Sequence, residues 1–214
     1  AGISVMNGLH TQMNEDPEIQ SSIQSGRWVW DIRREPEGLG IGGGRARLLA
    51  CDRILTVGTD MAIGKMSTSL ELTKSSRAKG LQTAMIATGQ TGLMLGESGV
   101  ALDAVRVDYA AGAVEQSVLR AGEGKDIIFV EGQGSLLNPG STATLPLLRG
   151  TQPTHLILVH KAGLTHLQHF PDFQIPPLPK VVALYESVAR AGGTFAPASV
   201  AGIALNTFGL NEKE

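Results

Sequence analysis

The sequence predicts an α/β fold: a parallel sheet with helices on both faces and a phosphate-cradling loop after one buried strand. Three observations lead there. From residue 53 onward, short apolar runs alternate with helical patterns, the arrangement of a parallel sheet built from strand–helix units. The runs are continuously apolar, as in strands covered on both faces. Gly-rich and polar segments follow strands, where such sheets bind their ligands.

Taken in order, Arg53–Val57 (RILTV) is the first strand and leads into a Gly-rich turn. Met66–Lys79 reads as a helix closed by Gly80, a residue suited to the left-handed position after a helix. Gln82–Ala87 is the second strand and runs into Thr88-Gly89-Gln90-Thr91-Gly92. Asp103–Ala121 carries apolar residues at helical spacing. Asp126–Val130 (DIIFV) is the third strand, ending in Glu131-Gly132-Gln133-Gly134-Ser135. His155–Val159 and Val200–Leu205 supply the fourth and fifth, with a helix near Leu178–Ala191 between them.

The first fifty residues read differently. Trp28-Val29-Trp30-Asp31-Ile32 alternates like a strand, with both tryptophans expected to pack inward. Asp16-Pro17-Glu18 suits the start of a short helix, and Leu39–Gly44 (LGIGGG) is expected to be a mobile loop. Residues 1–50 are therefore read as an N-terminal segment plus linker attached to an α/β domain at 51–214. The chain starts at Ala1, which fits a trimmed initiator or a chain lacking an upstream domain.

Composition narrows the function. Of 214 residues, 42% are hydrophobic and 18% charged, with net charge −2 and no Lys/Arg block. That argues against nucleic acid, which needs a concentrated basic face. No apolar run reaches the roughly 20 residues of a membrane span, and no leader is apparent, so a cytoplasmic location is expected. Cys51 is the lone cysteine and is read as a buried thiol. The expected partner is a small molecule, and a homo-oligomer stays open.

The chemistry begins at Gly58-Thr59-Asp60-Met61-Ala62-Ile63-Gly64-Lys65-Met66-Ser67. A Walker A motif places four residues between its glycines and a hydroxyl after the lysine. Here five residues intervene, and Met66 follows Lys65. Gly58 and Gly64 still allow backbone N–H groups to form an anion nest at a helix N-terminus, and Lys65 adds a cation. The hydroxyl that would ligate Mg²⁺ is displaced: Ser67 and Thr68 lie about 100° and 200° further round the helix. The fold class is thus a P-loop NTPase-like α/β domain that binds phosphate, with hydrolysis not implied.

Gly58-Thr59-Asp60 followed by Gly64-Lys65 resembles the long P-loop of dethiobiotin synthetases. Val130-Glu131-Gly132-Gln133-Gly134 is similar to that family's Val-Glu-Gly-Ala-Gly, and Gly202-Ile203-Ala204-Leu205-Asn206 to its adenine-reading strand. This resemblance implies that Glu131 faces the phosphates and Asn206 the base. Over nearly the whole chain the sequence also resembles the DgcN-like family, long listed as a domain of unknown function. Gly8-Leu9-His10-Thr11, Gly58–Met66, Ala87–Gly92, Val130–Ser135, Gly150-x-Gln152-Pro153 and Ala204–Thr207 carry the likeness. It implies an additional N-terminal Rossmann-like domain, of which the N-terminal segment here is the end. It also implies D-glutamate N-acetyltransferase activity with acetyl-CoA, in a family where Met after the P-loop lysine is ordinary.

Acyl transfer to an amine needs a base, oxyanion donors and an acceptor pocket. Glu131, Asp60 and His166 are the catalytic candidates, with His160 an equal alternative to His166. Gly58, Thr59, Asp60, Gly64, Lys65, Met66, Ser67 and Asn206 are the cofactor-binding set, and Gln90, Thr91, Gln133 and Ser135 the acceptor pocket. His166 and His169 have the spacing of one helical face, but no third ligand completes a zinc site. Lys161 and Arg149 have the charge to meet an acidic substrate. Three functions stay open: an acetyl-CoA-dependent N-acetyltransferase acting on D-glutamate or a similar D-amino acid, an ATP- and Mg-dependent ligase or kinase, and a nucleotide-binding regulatory domain.

Overall fold

A computed structural model describes residues 2–210. Strand β1 (Val5–Asn7) precedes a short helix, α1 (Pro17–Ser21), which begins where expected. The Asp16 carboxylate caps it by accepting the N–H groups of Glu18 and Ile19. Strand β2 (Val29–Asp31) then pairs in parallel with β1. Trp28 and Trp30, expected inside, stand 47% and 41% exposed. Alternation along β2 sends successive side chains to opposite faces, and this two-stranded sheet has too few neighbours to cover both.

The main sheet starts with β3 (Asp52–Gly58), followed by α2 (Lys65–Ala78) and β4 (Thr83–Ala87). A short helix, α3 (Gln90–Met94), and an edge strand, β5 (Ser98–Gly99), lead to α4 (Val107–Gly122). Helix α4 begins later than the periodicity suggests, because Leu102–Ala104 form a 3-10 turn and the Glu35 carboxylate takes the Arg106 N–H at 2.9 Å. Strand β6 (Ile127–Val130), α5 (Thr144–Thr151) and β7 (His155–Lys161) come next. A hairpin of β8 (His166–Leu167) and β9 (Phe170–Gln174), then α6 (Leu178–Ala189) and β10 (Ser199–Asn206), complete the described chain.

The sheet order is β10-β7-β3-β6-β4-β5, with every pair parallel. Helices cover both faces, as expected. On one face, Leu55, Val57, Ile128, Val130, Leu156 and Leu158 meet residues of α4, α5 and α6 in a single core. On the other lies α2, whose buried stripe is polar: Ser69 and Thr73 follow Lys65. The Thr56 and Ser69 hydroxyls, 3.1 Å apart, join α2 to β3. Cys51 is buried, which pushes its thiol pKa up. Among the described residues no helix is long and apolar enough to cross a membrane.

The stretch Leu39–Gly44, expected to be mobile, is fastened. Glu115 on α4 is fully buried and accepts the N–H groups of Gly43 (3.0 Å) and Arg45 and the Arg45 guanidinium. Burial opposes its ionisation, yet these donors hold its carboxyl below the usual range. Gly112 adds the steric condition, since a Cβ there would collide with the backbone of Gly40 and Ile41. Composition alone reads glycines as freedom; here they allow close approach.

Removing this anchor leaves buried donors without an acceptor. Glu115→Ala is expected to cost about 2 kcal/mol in denaturant unfolding, and to expose 39–44 to limited proteolysis. An unchanged midpoint and unchanged cleavage would show that the loop is held by other contacts.

Candidate functional site

Strand β3 carries the chain to Gly58 at the carboxyl edge of the sheet, and Thr59 N–H still bonds to Val159 O at 3.1 Å. The loop then turns through two left-handed residues, Ala62 (φ 52°) and Gly64 (φ 109°), before α2 begins with no side-chain cap. Among the described residues nothing accepts the backbone N–H groups of Ala62, Ile63, Gly64, Lys65, Met66 and Ser67. Unpaired N–H groups around a helix start are an anion nest, reinforced by the helix dipole. Lys65 is 6% exposed, and its ammonium donates to Asp60 O at 2.7 Å. Burial lowers its pKa from 10.5 to about 8, against the pull of Asp60 and Glu131.

The loop is braced at three points, Gly58, Asp60 and Ile63. The Gly58 carbonyl accepts the Tyr185 hydroxyl (2.7 Å) from α6 and the Ser135 hydroxyl (2.8 Å) from the loop after β6. Ser135, expected to line the acceptor pocket, is thereby engaged in holding the P-loop. Asp60 accepts Met61 N–H and Asn138 Nδ2 on one oxygen and Gln168 N–H on the other. Burial works against its charge, but the bonds from Gln168, Asn138 and Met61 win and hold its carboxyl below the ordinary range. Such an acid is a poor proton acceptor and a good clamp. Asn206 at the end of β10 donates from Nδ2 to Ile63 O at 2.9 Å, and its oxygen takes Phe208 N–H.

Glu131 sits at the end of β6, 4% exposed. Its Oε2 accepts the N–H groups of Thr88 (2.9 Å) and Gly89 (3.2 Å), while Oε1 meets only Gln133 Nε2 at 3.3 Å. Burial outweighs those bonds and the nearby Lys65 charge, and raises its pKa. Gly132 N–H bonds to Thr56 Oγ1 at 2.8 Å, and any Cβ at 132 would strike the Thr56 carbonyl. The loops after β4 and β6 are thus drawn together, as their positions in the sequence suggest. Gln90 and Thr91 form the first turn of α3, where Thr91 is exposed and Gln90 partly so.

The histidines divide. His160 Nδ1 lies 2.9 Å from Thr59 Oγ1, and burial lowers its pKa. His166 and His169 share no helix: His166 begins β8, exposed, with its ring against Thr165 Oγ1, and His169 lies in the turn of the hairpin. The hairpin reaches the P-loop through Gln168 instead, whose amide group donates to Met61 O at 3.0 Å. Among the described residues no three His, Cys, Asp or Glu side chains gather as a metal site.

Early α2 hydroxyls are mostly engaged elsewhere: Thr68 Oγ1 donates to Gly64 O and Ser69 pairs with Thr56, while Ser67 is exposed and Met66 half-buried. Sequence reasoning missed Asn138, Gln168 and Tyr185. Asn138-Pro139-Gly140 signals a turn, but not that its amide reaches Asp60. Tyr185 occupies an apolar stripe position that looks like core.

Comparisons with known proteins place this geometry. The model of DUF1611_C, a P-loop domain of unknown function, matches residues 40–214, and that of DUF1611_N, a Rossmann-like domain of unknown function, matches residues 1–35. A D-glutamate N-acetyltransferase of Tritonibacter scottomollicae is 33% identical over 100% of this chain, and one from a Pseudoalteromonas species 35% identical over 96%. The chain spans 63% and 61% of those two proteins. The crystal structure of a DUF1611 family protein from Anabaena variabilis ATCC 29413 is 58% identical, with a TM-score of 0.96, covering 99% of this chain and 62% of that one. On a family match over most of its length and these relatives, the chain belongs to the DUF1611 family.

Proposed function

We propose that this chain serves an acetyl-CoA-dependent N-acetyltransferase acting on D-glutamate or a similar D-amino acid, with the P-loop gripping the cofactor's phosphates. The observation that carries the reading is the run of unaccepted N–H groups from Ala62 to Ser67 beside the buried Lys65 ammonium. That arrangement fits a phosphate-bearing ligand without a catalytic metal. The engaged hydroxyls of Thr68 and Ser69, and Met66 in the usual hydroxyl position, favour holding phosphates over transferring them. The activity named for the two relatives at 33% and 35% identity supports the transfer of an acetyl group.

When bound, the cofactor supplies an acetyl group activated as a thioester. The chain's own groups then have distinct tasks. Lys65 and the amides of 62–67 neutralise the phosphates. Asp60, Asn138 and Gln168 keep the loop in shape. Glu131, with raised proton affinity and one lightly bonded oxygen, is assigned to receive the ammonium proton of the acceptor. Gln133, bonded to Glu131, together with Gln90 and Thr91 in the first turn of α3, is assigned to the acceptor as a neutral polar contact. His160 is uncharged at neutral pH because burial lowers its pKa; it lines the Thr59 side, whereas His166 lies out on the hairpin.

Calorimetric titration with acetyl-CoA and with Mg·ATP, followed by a free-thiol assay over a D-amino acid panel, separates the three readings. Acetyl-CoA is expected to bind, with Lys65→Ala weakening it by roughly 10-fold or more. Thiol release with an acidic D-amino acid and none with Mg·ATP supports the acetyltransferase. Tight Mg·ATP binding with phosphate release and no thiol would overturn it in favour of a ligase; binding of either without turnover favours a regulatory domain.

Lys65 also sets a pH dependence of opposite sign for binding and stability. Its charged form binds phosphate, so acetyl-CoA affinity should fall as pH rises through about 8, by up to roughly tenfold per pH unit. The ligand-free folded state carries a Lys65 pKa depressed below its unfolded value of 10.5. Between those values the unfolded chain binds more protons, so this group raises folding stability as pH climbs. Lys65→Arg should flatten both profiles. Parallel profiles in the two proteins would assign the dependence to another group.

A further inference from the structure

An ammonium that becomes an amide gives up two protons, and Glu131 accounts for one of them. The second leaves the nitrogen only after it has bonded to the acetyl carbon, and the departing sulfur needs a proton at the same stage. Histidine suits that exchange, because imidazole takes and gives protons near neutral pH. The chain has five histidines. His155 begins β7, at the end of the sheet away from the P-loop, and His160 is bonded to Thr59. His166 and His169 lie on the β8–β9 hairpin. The fifth, His10, belongs to Gly8-Leu9-His10-Thr11, a stretch that the phosphate chemistry leaves unused. On the acetyltransferase reading, on which this step rests, we infer that His10 is a second catalytic residue, passing the nitrogen's remaining proton to the departing sulfur.

Two sets of contacts bring His10 to the Glu131 side of the sheet. Gly8 packs on α3 so closely that a Cβ there would come 2.8 Å from Met94 Cε and 3.5 Å from Gln90 Cγ. Gln90 follows Gly89, whose N–H bonds to Glu131 Oε2 at 3.2 Å. His10 Nε2 lies 3.8 Å from Asp103 Oδ2. Asp103 follows Leu102, whose N–H bonds to Thr88 O at 3.0 Å, and Thr88 N–H bonds in turn to Glu131 Oε2 at 2.9 Å. The strip Thr88–Gln90 is thus shared by Glu131 and the His10–Asp103 pair.

The loop that carries His10 is held from beneath. Asn7, 4% exposed, accepts Leu9 N–H at 3.0 Å, and its amide group donates to Thr11 O and Asp31 Oδ1, each at 2.7 Å. Arg33 donates to Gly8 O and pairs with Asp103 Oδ2 at 2.8 Å, so one guanidinium ties the loop to the carboxylate. Ile32 packs with Ala87, Leu93 and Ala101, which gives the N-terminal segment and the sheet edge a common core. The His10 side chain itself stays 69% exposed and is open to a ligand.

The steps balance. Glu131 takes one proton from the ammonium, and the freed amine nitrogen bonds to the thioester carbonyl carbon. When the C–S bond breaks, its electron pair goes to sulfur. His10 takes the nitrogen's second proton and delivers a proton to sulfur, which leaves the amide, a free thiol and one proton on Glu131 for solvent. Nitrogen and sulfur are bonded to the same carbon at that stage, so one ring can serve both. Asp103, beside Nε2, is a positioning residue: it leaves Nδ1 for the exchange and favours the transient imidazolium.

Thiol release from acetyl-CoA with the D-amino acid panel is compared in the wild type, His10→Ala and Asp103→Asn. His10→Ala, at an exposed position, should lower kcat about 100-fold at unchanged melting temperature and unchanged KM for acetyl-CoA. Added imidazole should restore much of the His10→Ala rate, because the vacated place is open to solvent. Asp103→Asn should lower kcat less, again without raising KM. An unaltered kcat in His10→Ala, a loss confined to KM, or a lost rate that imidazole does not restore would overturn the role of His10 alone. A wild type that releases no thiol with any acceptor would overturn the acetyltransferase reading itself, and the role of His10 with it.

Discussion

A stretch of backbone left without hydrogen-bond partners governs this structure. Among the described residues the N–H groups from Ala62 to Ser67 find no acceptor. Donors left open at a helix start form a site for an anion, and keeping several of them together requires the loop to be held in shape. The rigidity is visible at both ends of the loop. The Gly58 carbonyl is pinned by Tyr185 and Ser135, the Ile63 carbonyl by Asn206, and the Asp60 carboxylate by Met61, Asn138 and Gln168. Apart from Met61 in the loop itself, the braces come from α6, the segment after β6, the β8–β9 hairpin and β10, so the nest depends on the assembled sheet.

The same constraint explains how side chains near the loop are used. A hydroxyl and an amide that the sequence assigns to a ligand also bond to the loop's backbone here: Ser135 to Gly58 and Asn206 to Ile63. The two acids diverge for an equally physical reason. Asp60 has well-placed donors on both oxygens, which favour its charge despite burial, whereas Glu131 has donors chiefly on one and burial prevails. One carboxylate therefore works as a clamp and the other retains affinity for a proton.

The sheet was largely legible in the sequence because buried parallel strands are short apolar runs, and each of the five runs named became a strand. What escaped were elements without a pattern of their own. Strand β5 is two residues of a Gly-rich turn, and the β8–β9 hairpin is short, exposed and histidine-rich, so His166 and His169 were read at helical spacing. At the site, the P-loop was legible from Gly58, Gly64 and Lys65, since backbone geometry demands those residue types. The braces were not, because Asn138, Gln168 and Tyr185 reach it across long sequence separations that no local pattern encodes. Leu39–Gly44 shows the converse: its glycines looked like mobility, while the cause of its order, Glu115, lies on another helix.

We propose that the free amides of the loop are the ligand's phosphate contacts. ¹⁵N-resolved amide shifts measured on adding coenzyme A at neutral pH, where Lys65 is charged, test it directly. The largest downfield movements should fall on Ala62–Ser67, the groups without acceptors among the described residues. Movements centred on the β8–β9 hairpin or elsewhere on the surface, with Ala62–Ser67 unmoved, would rule this out.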